Sequence, residues 1–132
     1  MKNIFIFTFS CFLFFSCSKD TDSINYTQSL LSNKTWFLRF KINEKMSKSF
    51  MGKNTYFIHF SKNGTTLDSD GISGYFVIQE NNSELSINID GMTLNGVQAN
   101  YKYTIEQIGL DQMTVSYQEE GIKTKKIFST TH

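Results

Sequence analysis

"YKYTIEQIGLDQMTVSYQ", residues 101–118, decides the fold of this chain. Bulky residues recur at every second position in both halves. Tyr101, Tyr103 and Ile105 share one face, and Lys102, Thr104 and Glu106 take the other. After the short stretch Gly109, Leu110 and Asp111, the alternation resumes with Met113, Val115 and Tyr117. A period of two belongs to a strand with one buried face, because successive side chains point to opposite sides of a sheet. The three residues between the runs leave room only for a tight turn, so the pair reads as an antiparallel hairpin.

The same signal spreads outward in both directions. "TWFLRFKI" (35–42) sets Trp36, Leu38, Phe40 and Ile42 against Arg39 and Lys41. "NTYFIHFS" (54–61) aligns Tyr56, Ile58 and Phe60, with His59 facing the other way. "KNG" (62–64) follows as an Asn-Gly hairpin in which both residues can take positive φ. "GYFVIQ" leads through the polar "ENNS" into "ELSINID", where Leu85, Ile87 and Ile89 alternate. "EEG" then turns into a weaker last strand, "IKTKKIFS" (122–129). With the short strand after the Asn-Gly turn these make about eight, which can close into a barrel and remove exposed edges, and no proline interrupts a ladder. The expected fold is all-β, a small antiparallel up-and-down barrel of about eight strands. "YTQSLLSN" (26–33) supplies a helical turn or two before the first of them.

The N-terminus has a different grammar. Lys2 precedes the apolar run Ile4 to Phe15, and Ser16 and Cys17 follow. A run of that length suits a secretory signal, whereas a membrane-spanning helix needs about 20 residues. "FFSC" (14–17) resembles the lipobox of bacterial lipoproteins, with Phe14 where that pattern prefers leucine. The resemblance implies cleavage between Ser16 and Cys17 and a diacylglyceryl thioether on Cys17, an anchor of two chains that holds stably to a membrane. Cys11 also follows a serine, but cleavage there would leave Phe12 to Phe15 at the start of the mature chain. The expected organisation is a signal peptide over 1–16, a lipidated cysteine and flexible tether over 17–28, and a barrel domain over 29–132. Ser18, where an aspartate would imply inner-membrane retention, points by resemblance to the outer membrane. Lys19, Asp20 and Asp22 resemble the charged export tether of surface-exposed lipoproteins.

Charge and cysteine content narrow the chemistry. The chain has 13 basic and 12 acidic residues, and removal of Lys2 with the signal leaves the two signs balanced. Nothing in that balance favours nucleic acid. Of the two cysteines only Cys17 would remain, so no disulfide is expected within a mature chain.

The order of the strand signals resembles lipocalin-like domains of Gram-negative envelope lipoproteins. There a helical lead precedes a tryptophan-bearing strand, a Gly-Thr hairpin, and a closing pair of strands. Here these read "LLSNKTW", "IHFSKNGTT", "YFV", "LSI" and "YTIEQIGLDQMTV", covering residues 30 to about 118. Lys34 stands where lipocalins with a Gly-x-Trp motif carry glycine. The resemblance implies a binding module, with the 43–53 connection "NEKMSKSFMGK" as a lid over the barrel mouth. One helical turn there would place Met46 and Phe50 on one side.

The candidate ligand contacts are Met46, Phe50, Met51, Tyr56, Tyr101 and Tyr103. The partner is either a small apolar ligand or an envelope protein, the latter making the chain an inhibitor, an immunity factor or an accessory subunit. The bulky inward residues favour a filled barrel over a wide calyx. Catalytic chemistry finds no motif. His59 reads as outward, His132 is terminal, and Glu119 and Glu120 are adjacent turn residues, not an acid–base pair. "LDSDGISG" (67–74) lacks the glycine and closing carboxylate of a calcium loop and reads as a polar turn. No cofactor and no metal is expected.

Overall fold

A computed structural model describes residues 19–52 and 55–131, with side-chain surroundings from residue 22 onward. The expected signal peptide, the expected cleavage site at Ser16 and the expected lipidation site at Cys17 lie outside the described residues. One helix, α1 (Lys19–Leu31), is followed by nine strands: β1 (Lys34–Ile42), β2 (Ser47–Ser49), β3 (Phe57–Phe60), β4 (Thr65–Asp68), β5 (Ser73–Asn81), β6 (Glu84–Met92), β7 (Gln98–Ile108), β8 (Gln112–Glu119) and β9 (Ile122–Ser129). Every pairing is antiparallel, and β1 pairs with β9 to close the sheet. Eight strands make the barrel. The short β2 folds back along the part of β1 that β3 leaves free, pairing Phe40 with Ser49 and Ile42 with Ser47. The expected fold class is therefore the observed one.

Helix α1 is longer than the sequence suggests. The segment expected as a flexible tether over 17–28 is helical from Lys19 onward. Ile24, Thr27 and Leu31 recur at helical spacing, and Thr27, Leu30 and Leu31 are buried with Ile24 packed on the core. The polar composition of "KDTDSIN" hides this stripe, because only one apolar residue falls within it. Trp36, fully buried, donates its indole N–H to the carbonyl of Leu31 at 3.0 Å. That bond satisfies a carbonyl left without a partner at the helix C-terminus. Asn33, at positive φ, then turns the chain into β1.

The turns follow sequence chemistry, with one exchange. The expected two-residue Asn-Gly hairpin at 63–64 is a longer loop, in which only Gly64 takes positive φ. Asn63 instead accepts hydrogen bonds from the Thr65 backbone N–H and hydroxyl through its side-chain oxygen. Turns with positive φ at both central residues occur at Asn82–Ser83 and at Glu120–Gly121. Gly74 and Gly91 pair across β5 and β6, and a Cβ on Gly74 would lie 2.0 Å from the Asp90 carbonyl oxygen. Only glycine permits so close an approach of the two backbones.

Packing divides the barrel along its axis. At the helix end, Leu31, Trp36, Phe60, Ile78, Met113 and Phe128 fill the interior. Phe60 and Phe76 meet edge to face at 5.0 Å between ring centres. Toward the opposite end the inward residues become Tyr56, Asp68, Tyr103, Tyr117, Thr124 and Lys126.

Candidate functional site

The open end owes its chemistry to a bulge. Along β1 the pairing with β9 shifts between Leu38 and Phe40, so Arg39 is an extra residue. A bulge exchanges the faces of every residue beyond it. Phe40, expected inward, is consequently on the outer face, 38% exposed and opposite Ile127. Lys41, expected outward, now points to the interior rim opposite Lys126. Neither lysine could be assigned to the interior from the alternation of residues 35–42 alone.

Lys126 stands at the centre. Its ammonium lies 4.9 Å from the ring centre of Tyr117, 5.2 Å from Tyr56 and 5.5 Å from Tyr103. It also donates a long hydrogen bond of 3.4 Å to the Tyr103 hydroxyl. The faces of the rings carry negative charge density, so this is a cation held chiefly by quadrupoles. Burial, and then the neighbouring Lys41 ammonium, push the Lys126 ammonium below the ordinary lysine range. No ion pair forms on Lys126 among the described residues.

The neighbouring charges are already engaged. Lys41 forms an ion pair with Glu119 at 2.9 Å. That hydrogen bond raises the lysine and lowers the carboxyl relative to their ordinary values. Asp68, 6% exposed, accepts from the Tyr56 hydroxyl at 3.0 Å through one oxygen. Its other oxygen accepts from the backbone N–H groups of Asp70 and Ile72. The polar turn expected over 67–74 is thus organised by this carboxylate, which turns its lone pairs to the backbone. Burial raises the Tyr56 and Tyr103 phenols well above the ordinary tyrosine range.

Access to Lys126 comes through the wall. Strand β7 pairs with β6 from Gln98 to Thr104, but its pairing with β8 begins only at Thr104 and Ser116. Beyond that point β7 residues 100–103 and β8 residues 117–119 diverge. A recess of about 290 Å³ occupies the fork, lined by Lys41, Tyr101, Tyr103, Tyr117, Glu119 and Lys126 together with Asn100, Lys102 and Gln118. A groove of about 530 Å³ continues from it over the outer surface, sharing Lys102, Tyr117 and Gln118.

The candidates read from sequence fall into three groups. Tyr56, Tyr101 and Tyr103 do gather at this end, with Tyr101 at the rim and stacked nearly parallel to Tyr103. Within the 43–53 connection, the expected helical turn is instead a hairpin. The Asn43 side chain accepts from the Lys45 and Met46 N–H groups, and β2 follows. Met46 and Met51 are exposed, and Phe50 alone packs on the core, its N–H bonded to the Arg39 carbonyl. Lys19, Asp20 and Asp22 fall on α1, where Asp22 is exposed.

His59 lies on the outer face opposite Thr35, whose hydroxyl oxygen is 3.0 Å from its Nδ1. Glu120 sits in its turn, whereas Glu119 ends β8. Lys41, Asp68 and Lys126 were not among the sequence candidates. One signal for Lys126 was present: counting back by twos from Phe128 passes through Lys126 and Thr124, placing a lysine on a core face.

Comparisons with known families, curated proteins and solved structures find nothing that matches this chain.

Proposed function

We propose that this protein is a lipid-anchored envelope module of Gram-negative bacteria that binds a small ligand at the open end of its barrel, without catalysis. One observation carries the binding part: the fork between β7 and β8 opens a recess onto inward side chains that the barrel does not cover. Ligand sites favour such concave places with a few convergent polar groups. The apolar half of the barrel is filled by its own side chains, so the ligand belongs at the fork and not on the barrel axis.

The anchoring part rests on "FFSC" and on the charged residues behind it. Outer-membrane residence, with exposure at the cell surface, follows from Ser18, Lys19, Asp20 and Asp22 by the same resemblance. A protein partner is the rival occupant, favoured by Met92, Leu94 and Val97, all exposed at the β6–β7 hairpin on the same rim.

Ligand-detected NMR with a fragment library tests the site on the full chain in detergent. Bound fragments should shift the amides of residues 100–103 and 117–119. Fragments that bind while leaving those amides unmoved would place the site elsewhere. For the anchor, Cys17→Ser should abolish incorporation of a labelled fatty acid and release the protein from membranes; unchanged labelling would overturn it.

A further inference from the structure

We propose that the recess at the β7–β8 fork takes a small organic anion, its carboxylate or equivalent oxyanion meeting Lys126 and its body lying against the tyrosine rings. This rests on the binding reading above and adds the ligand's chemical class.

The argument begins with the charges. Taking an ammonium out of water is costly unless it is paired. Of the carboxylates whose charges act on it, Glu119 is paired with Lys41, Asp68 with Tyr56 and two backbone amides, and Asp70 is exposed on its turn. Lys126 has ring faces and one long bond to a phenol. Ring faces offset part of the desolvation and leave ammonium hydrogens without strong acceptors. Lys41, opposite it in register, is already paired with Glu119 and leaves Lys126 as the cation without a carboxylate. An incoming oxyanion supplies what Lys126 lacks, and a charge-assisted bond in a partly dry site is among the stronger ones.

Size and lining restrict the rest of the ligand. A volume of about 290 Å³ holds roughly ten waters' worth of matter, which suits a single ring bearing an acid group. The nearly parallel Tyr101 and Tyr103 rings offer a flat wall for such a body. Polar Asn100 and Gln118 at the edge can meet hydroxyl or amide substituents.

The probes are benzoate, glucuronate, inorganic phosphate and, as the uncharged analogue of the first, benzamide. Titrations on the full chain in detergent should show the two carboxylates binding. Benzamide and phosphate should bind at least about tenfold more weakly, the first lacking the charge and the second the body. Lys126→Met should lower carboxylate affinity by roughly tenfold to a hundredfold while circular dichroism shows an intact barrel. Lys125→Met removes the same charge from the next residue, which is exposed, and should change nothing. Lys126→Arg keeps a cation and should retain most of the affinity, which holds the test open if the methionine variant misfolds.

Benzamide binding as well as benzoate at the fork, with Lys126→Met without effect, would overturn the anion inference and leave the binding module standing. Failure of all four probes, together with no fragment shifting the fork amides, would overturn both. Phosphate binding as tightly as the carboxylates would show that the charge alone is recognised, and would overturn the part of the inference that assigns an organic body.

Discussion

The two ends of this barrel are built from the same strands and obey different rules. At the helix end, β1, β3, β8 and β9 contribute Trp36, Phe60, Met113 and Phe128, each at most 1% exposed. A few residues further along β1, β8 and β9 stand Lys41, Tyr117 and Lys126, and Tyr56 stands just before β3. One end is a core, sealed by α1 and by the Trp36–Leu31 hydrogen bond. The other keeps a half-buried cation among buried and half-buried phenols beside an unpaired stretch of wall. The contrast shows where stability is concentrated and where it has been given up, and groups of the second kind gather at functional sites more often than in plain cores.

The largest effect should come from breaking the sealed end. Trp36→Ala removes a fully buried ring and orphans the Leu31 carbonyl. Chemical denaturation should show a loss of about 3–5 kcal/mol, in the range for large aromatic truncations. Trp36→Phe keeps most of the ring and loses the N–H, and should cost less than half of that. Equal losses in the two variants would mean that the hydrogen bond, not the packing, ties α1 to the barrel.

A smaller effect, confined to alkaline solution, belongs to the open end. The Tyr56 and Tyr103 phenols are held above the ordinary value by burial, each with charged neighbours on other strands. Asp68, Glu119 and the other tyrosines oppose their ionisation, and Lys126 faces both. A phenol whose folded value exceeds its unfolded one stabilises the fold below the unfolded value, near pH 10, and that contribution is lost as pH rises further. Lys126 and Lys41 have opposite slopes, since the first is lowered and the second raised. The expected result is a stability that falls steeply above about pH 10, less steeply in Tyr56→Phe and Tyr103→Phe. An equally steep fall in both variants would assign the alkaline weakness to groups outside this cluster.

How much of this contrast was legible follows from what each end depends on. The sealed end depends on alternation, and alternation is written in the sequence: Trp36, Leu38, Ile58, Phe60, Ile87, Ile89, Met113 and Val115 all face inward as their spacing says. Helix α1 was half legible, because its buried stripe includes Thr27, a residue that looks polar until its neighbours are known. The open end depends on a register shift. Arg39 carries no mark of a bulge, and one extra residue there turns Phe40 out and Lys41 in. The tyrosines could be named as candidates because they alternate; the lysine they surround has only its parity with Phe128 to mark it, and "KTKK" otherwise reads as solvated charge. Nor does spacing reveal where β7 and β8 part, because both continue their alternation through the fork.

The smallest expected effect is the sharpest test of the contrast. If Lys126 were a structural hub, removing its ammonium should damage the fold as truncation does at the sealed end. Lys126→Met instead keeps the apolar stem among the rings and removes a cation that burial disfavours. The lost cation–π attraction and the relieved desolvation oppose each other, so stability at neutral pH should change by less than about 1 kcal/mol, with a gain the favoured sign. The pH profile separates these terms. A lysine whose folded value lies below its unfolded one lets wild-type stability rise with pH between the two, as the folded state sheds its proton first. The methionine variant lacks that rise, so its advantage should be greatest at neutral pH and shrink toward about pH 10. A loss of several kcal/mol at neutral pH would make Lys126 part of the scaffold, and the open end would then be a second core built from different residues.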